Sequence, residues 1–94
     1  MTGPTFDWDA KKAAGNWRKH RVSFEEALTA FRDPLAKIHA DPEHSELEER
    51  DILIGHSTSG HLVLVAFTER RGTIRLISAR ETTRRERQAY EQKS

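Results

Sequence analysis

The 94-residue chain contains no cysteine. A disulfide framework and every thiolate metal site are therefore excluded, which suits a reducing compartment such as the cytoplasm. Long apolar runs are missing too: the longest, LVLVAF at 62–67, is far below the roughly 20 residues that span a bilayer. The opening MTGPTFDWD lacks the basic-then-apolar pattern of a secretion signal. No internal repeat or low-complexity linker divides residues 1–94. The expectation is one soluble cytoplasmic domain without membrane contact. A chain this short buries only somewhat over half of its unfolded surface, so it has room for a single compact core.

Excess charge is also absent as a total, since the formal net charge is +1. Its distribution is uneven. Residues 1–23 carry five Lys/Arg against two Asp, residues 24–51 carry three against nine acidic residues, and residues 70–94 carry eight against three Glu. Two basic ends that meet in space would form a surface for a polyanion, with the acidic middle as a separate surface; the plainer reading is pairing of opposite charges within the fold. The densest stretch is RLISARETTRRERQAYE (75–91), in which Arg75, Arg80, Arg84, Arg85 and Arg87 fall within thirteen residues.

Periodicity supplies the architecture. Asp9 is placed to cap a helix over 10–20, with Ala10, Ala13, Ala14 and Trp17 as its inward stripe. Ser23 and Glu26 form a capping-box pattern ahead of Phe24, Ala27, Leu28 and Phe31, and RDP at 32–34 stops that helix. Strand patterns follow at 35–41, 50–56, 61–69 and 73–81, separated by the turn signals STSG and RRG, and a short strand at TFDW is possible before the first helix. The polar connection PEHSELEE could hold a helical turn. Thr83 and Glu86 repeat the capping-box pattern, so a polar, basic helix starts near residue 83 with only Ala89 and Tyr90 to bury. The expected fold is α+β: two N-terminal helices packed on an antiparallel sheet of about four strands, then a C-terminal basic helix. Strict alternation along TIRLISAR places Ile74, Leu76 and Ser78 on one face and Arg75, Ile77 and Ala79 on the other, with Arg80 emerging near the strand end. Trp8, Trp17, Phe24 and Phe31 read as core rather than as a base-stacking platform.

Three separated segments, FDWDAKKAAGNWRKHRVSFEEALTAFRDPLA (6–36), HSELEERDILIG (44–55) and IRLISARETTRRERQAYE (74–91), resemble the BrnT toxins of bacterial type II toxin–antitoxin pairs, in register over nearly the whole chain. The resemblance implies a RelE-like ribonuclease fold, cleavage of RNA that arrests translation, and neutralisation by a BrnA-type antitoxin through which operator DNA is contacted. One departure stands out. Where the family reads KHGVSF this chain reads KHRVSF, and if the position requires positive φ, Arg21 is strained there.

Cleavage of RNA without a metal needs a group to take the 2′-OH proton, a cation to stabilise the phosphorane and an acid for the leaving 5′-oxygen. His20, Lys19, Glu49 and Tyr90 are candidates for proton transfer; Arg80, Arg75, Arg50 and Arg84 for the phosphate; Arg84, Arg85 and Arg87 for positioning the RNA backbone. Each has a structural alternative. His20 could simply cap a helix C-terminus, Glu49 and Arg50 could form surface ion pairs, Arg75 could face solvent, and Tyr90 could anchor the last helix. No cofactor is expected. His39 with His44, and His56 with His61, match no tight metal-ligand spacing. A non-catalytic module that pairs with an antitoxin is the alternative function.

Overall fold

The computed structural model describes residues 3–41 and 49–92. Most of the PEHSELEE connection, including His44, lies outside the described residues. The chain runs β1 (Thr5–Asp7), α1 (Ala10–His20), α2 (Phe24–Thr29) with a 3₁₀ turn at Ala30–Arg32, β2 (Lys37–Ala40), β3 (Asp51–His56), β4 (Leu62–Arg70), β5 (Thr73–Glu81) and α3 (Arg84–Glu91). The capping residues set these limits. Asp9 accepts the Lys12 N–H at 2.9 Å, Ser23 accepts the Glu26 N–H at 2.9 Å, and Thr83 with Glu86 forms a complete capping box.

The sheet has five strands in the order β1-β5-β4-β3-β2, with β1 parallel to β5 and the other neighbours antiparallel. It is thus one strand larger than the four expected, the fifth being the short strand read as possible at TFDW. At three residues β1 is too short for a period to show, and its place comes from pairing with Thr73–Arg75. Helices α1 and α2 cover one face. There Phe24, Ala27 and Ala30 meet Leu53, Val63, Val65, Phe67, Ile74, Leu76 and Ala79. Phe6, Phe31 and Phe67 stack edge to face with centroids 5.1 Å apart at each step, and Trp8 meets Phe24 at 5.8 Å. The 3₁₀ turn approaches β3 so closely that a Cβ on Gly55 would lie 3.0 Å from the Ala30 carbonyl oxygen. The opposite face is partly roofed by α3, whose Tyr90 rests on Ile54 and Leu62. Among the described residues no helix is long and apolar enough to cross a membrane.

Two expectations about side-chain direction change. In β5, Ser78 pairs with Ala66 but Leu76 pairs with Phe67, so Ile77 is an inserted residue. This bulge reverses the alternation. Ala79 therefore enters the helix-side core, fully buried, while Ser78 and Arg80 join Arg75 on the other face. In α1 the inward stripe is Ala13, Asn16 and His20, whereas Ala10 and Ala14 are exposed and Trp17 is 47% exposed. Asn16 decides this rotation. Beyond Arg75 the edge of β5 has no strand beside it, and there the Asn16 amide accepts the Ala79 N–H at 3.0 Å and donates to the Ala79 carbonyl at 2.8 Å. It also donates to the Val22 carbonyl at 2.9 Å. A buried side-chain amide thus replaces the missing strand partner, satisfying backbone groups that would otherwise be costly to bury.

Candidate nucleic-acid interface

The bulge in β5 gives the face opposite α1 and α2 its chemistry. Arg75 lies opposite Thr68 and Asp7, and Arg80 lies opposite Leu64. Extending the β3–β4 register by one residue puts Arg50 beside Thr68, so Arg50, Thr68, Arg75 and Asp7 form one row across four strands. Arg80 stands four residues of β4 away, about 13 Å along the strands. Between the two rows the floor is Ile52, Ala66 and Ser78.

The cations on this face are not equivalent. Arg75 pairs with Asp7 at 3.2 Å, both side chains half exposed. Arg80 donates from Nη1 and Nη2 to the two Glu86 carboxylate oxygens, at 2.8 Å each. The Arg80 contact, helped by the Thr83 N–H, holds the Glu86 carboxyl down at about 2, and Glu86 in turn raises the arginine pKa. Arg87 reaches Glu91 at 3.8 Å along α3. Arg84 and Arg85 project into solvent from the first turn of α3 and have no ion pair among the described residues.

Lys19 and His20 arrive from the other side of β5. Strand β1 ends level with Arg75, and Asn16 is fixed at Ala79. The last turn of α1, four residues on, extends about 6 Å further, roughly two strand residues. Lys19 and His20 thus form the last turn of α1, one turn beyond the contact of Asn16 with Ala79. Arg21 follows with φ 57° and ψ 29°, its N–H closing the helix on the Trp17 carbonyl at 2.8 Å. The position does require the left-handed conformation, and an arginine adopts it. The guanidinium then lies over the Trp17 ring, 5.6 Å from its centroid. Glu49 is exposed and precedes Arg50. Arg80, Arg84 and Arg85 thus lie about the β5–α3 junction, with Arg75 and Arg50 toward the other end of the sheet, and among the described residues no hydrogen bond or ion pair joins Lys19 or His20 to them.

Two polar clusters have no counterpart in the sequence reading. At the foot of α3, Tyr90 donates to Asp33 at 2.6 Å, the backbone N–H of His56 donates to the same oxygen at 2.8 Å, and Lys37 caps α3 by donating to the Ala89 and Gln92 carbonyls at 2.9 and 3.2 Å. Burial and the Asp33 carboxylate push the Tyr90 hydroxyl up to about 12. Burial acts to raise the Asp33 pKa, but the donors around it outweigh that and hold it below its usual value. These residues border an open pocket of about 590 Å³. At the β3–β4 turn, Ser57 and His61 Nδ1 both contact Glu26 Oε2 at 2.7 Å. The Glu26 bond raises the His61 pKa. His56 and His61 thus serve separate carboxylates, and no group of three metal-ligating side chains occurs among the described residues. The clusters escape sequence reasoning because each joins residues more than twenty positions apart.

Comparison with known proteins bears on the family and the fold. Residues 8–86 match the family described as "Ribonuclease toxin, BrnT, of type II toxin-antitoxin system". The 1.1 Å crystal structure of the Brucella abortus ribonuclease toxin BrnT is similar in fold, with a TM-score of 0.65 at 21% identity over 86% of this chain and 99% of that one. No curated protein matches the sequence.

Proposed function

The chain belongs to the BrnT family of ribonuclease toxins from type II toxin–antitoxin systems, and from that premise we propose that it is a metal-independent endoribonuclease with a RelE-like fold. Cleavage of RNA in the cytoplasm arrests translation, and a BrnA-type antitoxin neutralises the enzyme and supplies contact with operator DNA. The observation that carries this reading is the β5 bulge, which turns Arg80 onto the face of Arg75. Two cations on one face, about 13 Å apart along the strands, suit phosphates about two nucleotides apart on a single RNA strand.

In the reaction, a base removes the 2′-OH proton, the 2′-oxygen attacks phosphorus, and the 5′-oxygen leaves with a proton from an acid. The products are a 2′,3′-cyclic phosphate and a 5′-hydroxyl. Arg80 stabilises the phosphorane, His20 and Lys19 of the last turn of α1 carry the protons, and Arg84, Arg85 and Arg87 position the backbone. Arg75 and Arg50 hold the strand further along, with Glu49 beside them. Glu86 must share or release Arg80 when phosphate arrives, because a carboxylate and a phosphate compete for the same guanidinium edge. That closure favours a second reading, a catalytically inactive module that pairs with an antitoxin and takes part in operon autoregulation.

Incubation of end-labelled RNA with the purified chain in excess EDTA separates the two. Cutting that leaves 2′,3′-cyclic ends and falls at least tenfold in Arg80→Ala supports the enzyme. Absence of cutting, both alone and with translating ribosomes, overturns it and leaves the binding module.

A further inference from the structure

Beside Lys19 and His20, assigned above to proton transfer, the α1 C-terminus carries groups that the cleavage chemistry does not use. Arg18, Lys19, His20 and Arg21 are consecutive, and none forms an ion pair among the described residues. Arg75 and Arg80 on β5 and Arg87 on α3 are by contrast each matched to a carboxylate. Charge left unneutralised inside the fold is available to a polyanion. Beside it stands Trp17, 47% exposed where most large apolar side chains are buried. Its indole is not loosely placed. The Arg21 N–H bond to the Trp17 carbonyl and the Arg21 guanidinium, 5.6 Å from the ring centroid, fix both groups together.

We propose that Trp17 is a base-stacking subsite for an unpaired nucleobase of the RNA substrate, with Arg21 backing the indole and Arg18 contacting a flanking phosphate. This rests on the ribonuclease reading and adds to it a substrate form: single-stranded RNA that passes from the sheet face around the end of β5 onto α1. An aromatic face with adjacent cations is the usual composition of a single-strand platform, and it tolerates any base because every base has a π-face. A duplex, with its bases stacked inside, offers nothing to the indole.

The test uses tryptophan emission with a non-cleavable oligonucleotide carrying 2′-O-methyl groups, titrated into the full chain at low salt, alongside the EDTA cleavage assay. The oligonucleotide quenches the wild type, whereas a duplex of equal length does not. Trp17→Phe keeps a ring to stack on and so retains affinity while losing the quenching, and the half-buried Trp8 accounts for the signal that remains. Trp17→Ala weakens single-strand binding by roughly 5- to 100-fold, the range of one stacked base. The change sits on the helix surface, and an unaltered circular dichroism spectrum confirms folding. If Trp17→Ala binds and cuts as well as the wild type and no quenching occurs, the subsite is refuted while the ribonuclease reading stands. If the wild type neither binds nor cuts, both fail together.

Discussion

Glu86 accepts both Nη hydrogen bonds of Arg80 at 2.8 Å with the same carboxylate that accepts the Thr83 N–H at 2.8 Å. One side chain therefore starts α3 and fastens it to β5. Its pKa is about 2 against the ordinary 4.5. A depressed carboxylate pKa means that the unfolded chain takes up the proton first. The stabilisation is complete above about 4.5 and is lost as the pH falls toward 2. With the pair partly exposed and screened, it amounts to about 1–2 kcal/mol. Urea midpoints of the wild type and Glu86→Gln are expected to differ at pH 6 and to converge near pH 2; a constant gap would show that the charge on Glu86 is immaterial.

The same substitution bears on function. Glu86→Gln removes the carboxylate that competes for Arg80, so RNA affinity is expected to rise, and the dependence of binding on salt to steepen by about one ion. Electrophoretic mobility shifts across a salt series read both quantities. A decrease in affinity would mean that Glu86 holds Arg80 in its binding geometry instead of blocking it.

Arg21 is expected to separate backbone strain from side-chain contact. A Cβ in the left-handed region costs about 1–2 kcal/mol, and glycine avoids it at the price of a more flexible unfolded chain. Arg21→Ala keeps the strain and loses the Trp17 contact. Arg21→Gly should therefore be the more stable of the two variants by about 1 kcal/mol, measured by thermal or urea unfolding. Equal stability would mean that the turn rebuilds itself around the alanine.

The helix limits were readable because caps are local. Asp9, Ser23 and Thr83 each act on an N–H three residues ahead, within the reach of a sequence pattern. The β5 bulge was not readable. TIRLISAR alternates as well without an inserted residue as with one, and the choice is made by Val65 and Phe67, which require Ala79 and Leu76 opposite them in the core. The consequence is functional, because the arginine face is created by that choice. Trp17 was misplaced for a related reason. Its spacing with Ala10, Ala13 and Ala14 fits an inward stripe, but the free edge of β5 needs a polar partner, and turning Asn16 toward it turns Trp17 toward solvent. The family resemblance, by contrast, depended on residue identities spread over the chain and required no knowledge of direction.

Asn16 itself is therefore expected to be among the most sensitive positions. Asn16→Ala strands the N–H and carbonyl of Ala79 and the carbonyl of Val22 in a buried site, a loss of about 3 kcal/mol or more. Asn16→Asp retains an acceptor for the Ala79 N–H but turns a carboxylate oxygen toward two carbonyls, so it should rescue little at neutral pH. A stability change under 1 kcal/mol for the alanine variant would indicate that water replaces the amide at the strand edge.

Tyr90 is the only tyrosine in the chain, which makes its ionisation directly visible as phenolate absorbance near 295 nm. Its hydroxyl donates to Asp33 at 2.6 Å and its pKa is raised to about 12. That single proton is directed at Asp33, so His56 Nδ1, 3.3 Å from the phenol oxygen, must supply the hydrogen for their contact. A raised phenol pKa stabilises the fold fully below the unfolded value near 10, and the contribution is lost as the pH rises through 12. Alkaline titration of the folded chain should therefore show little phenolate at pH 10.5, and urea should release it at that pH. Asp33→Asn removes the charge that opposes ionisation and should bring the transition down toward the ordinary value. If instead Tyr90 titrates near 10 in the folded wild type, α3 is not held on Asp33 in solution, and the roof over Ile54 and Leu62 opens at its C-terminal end.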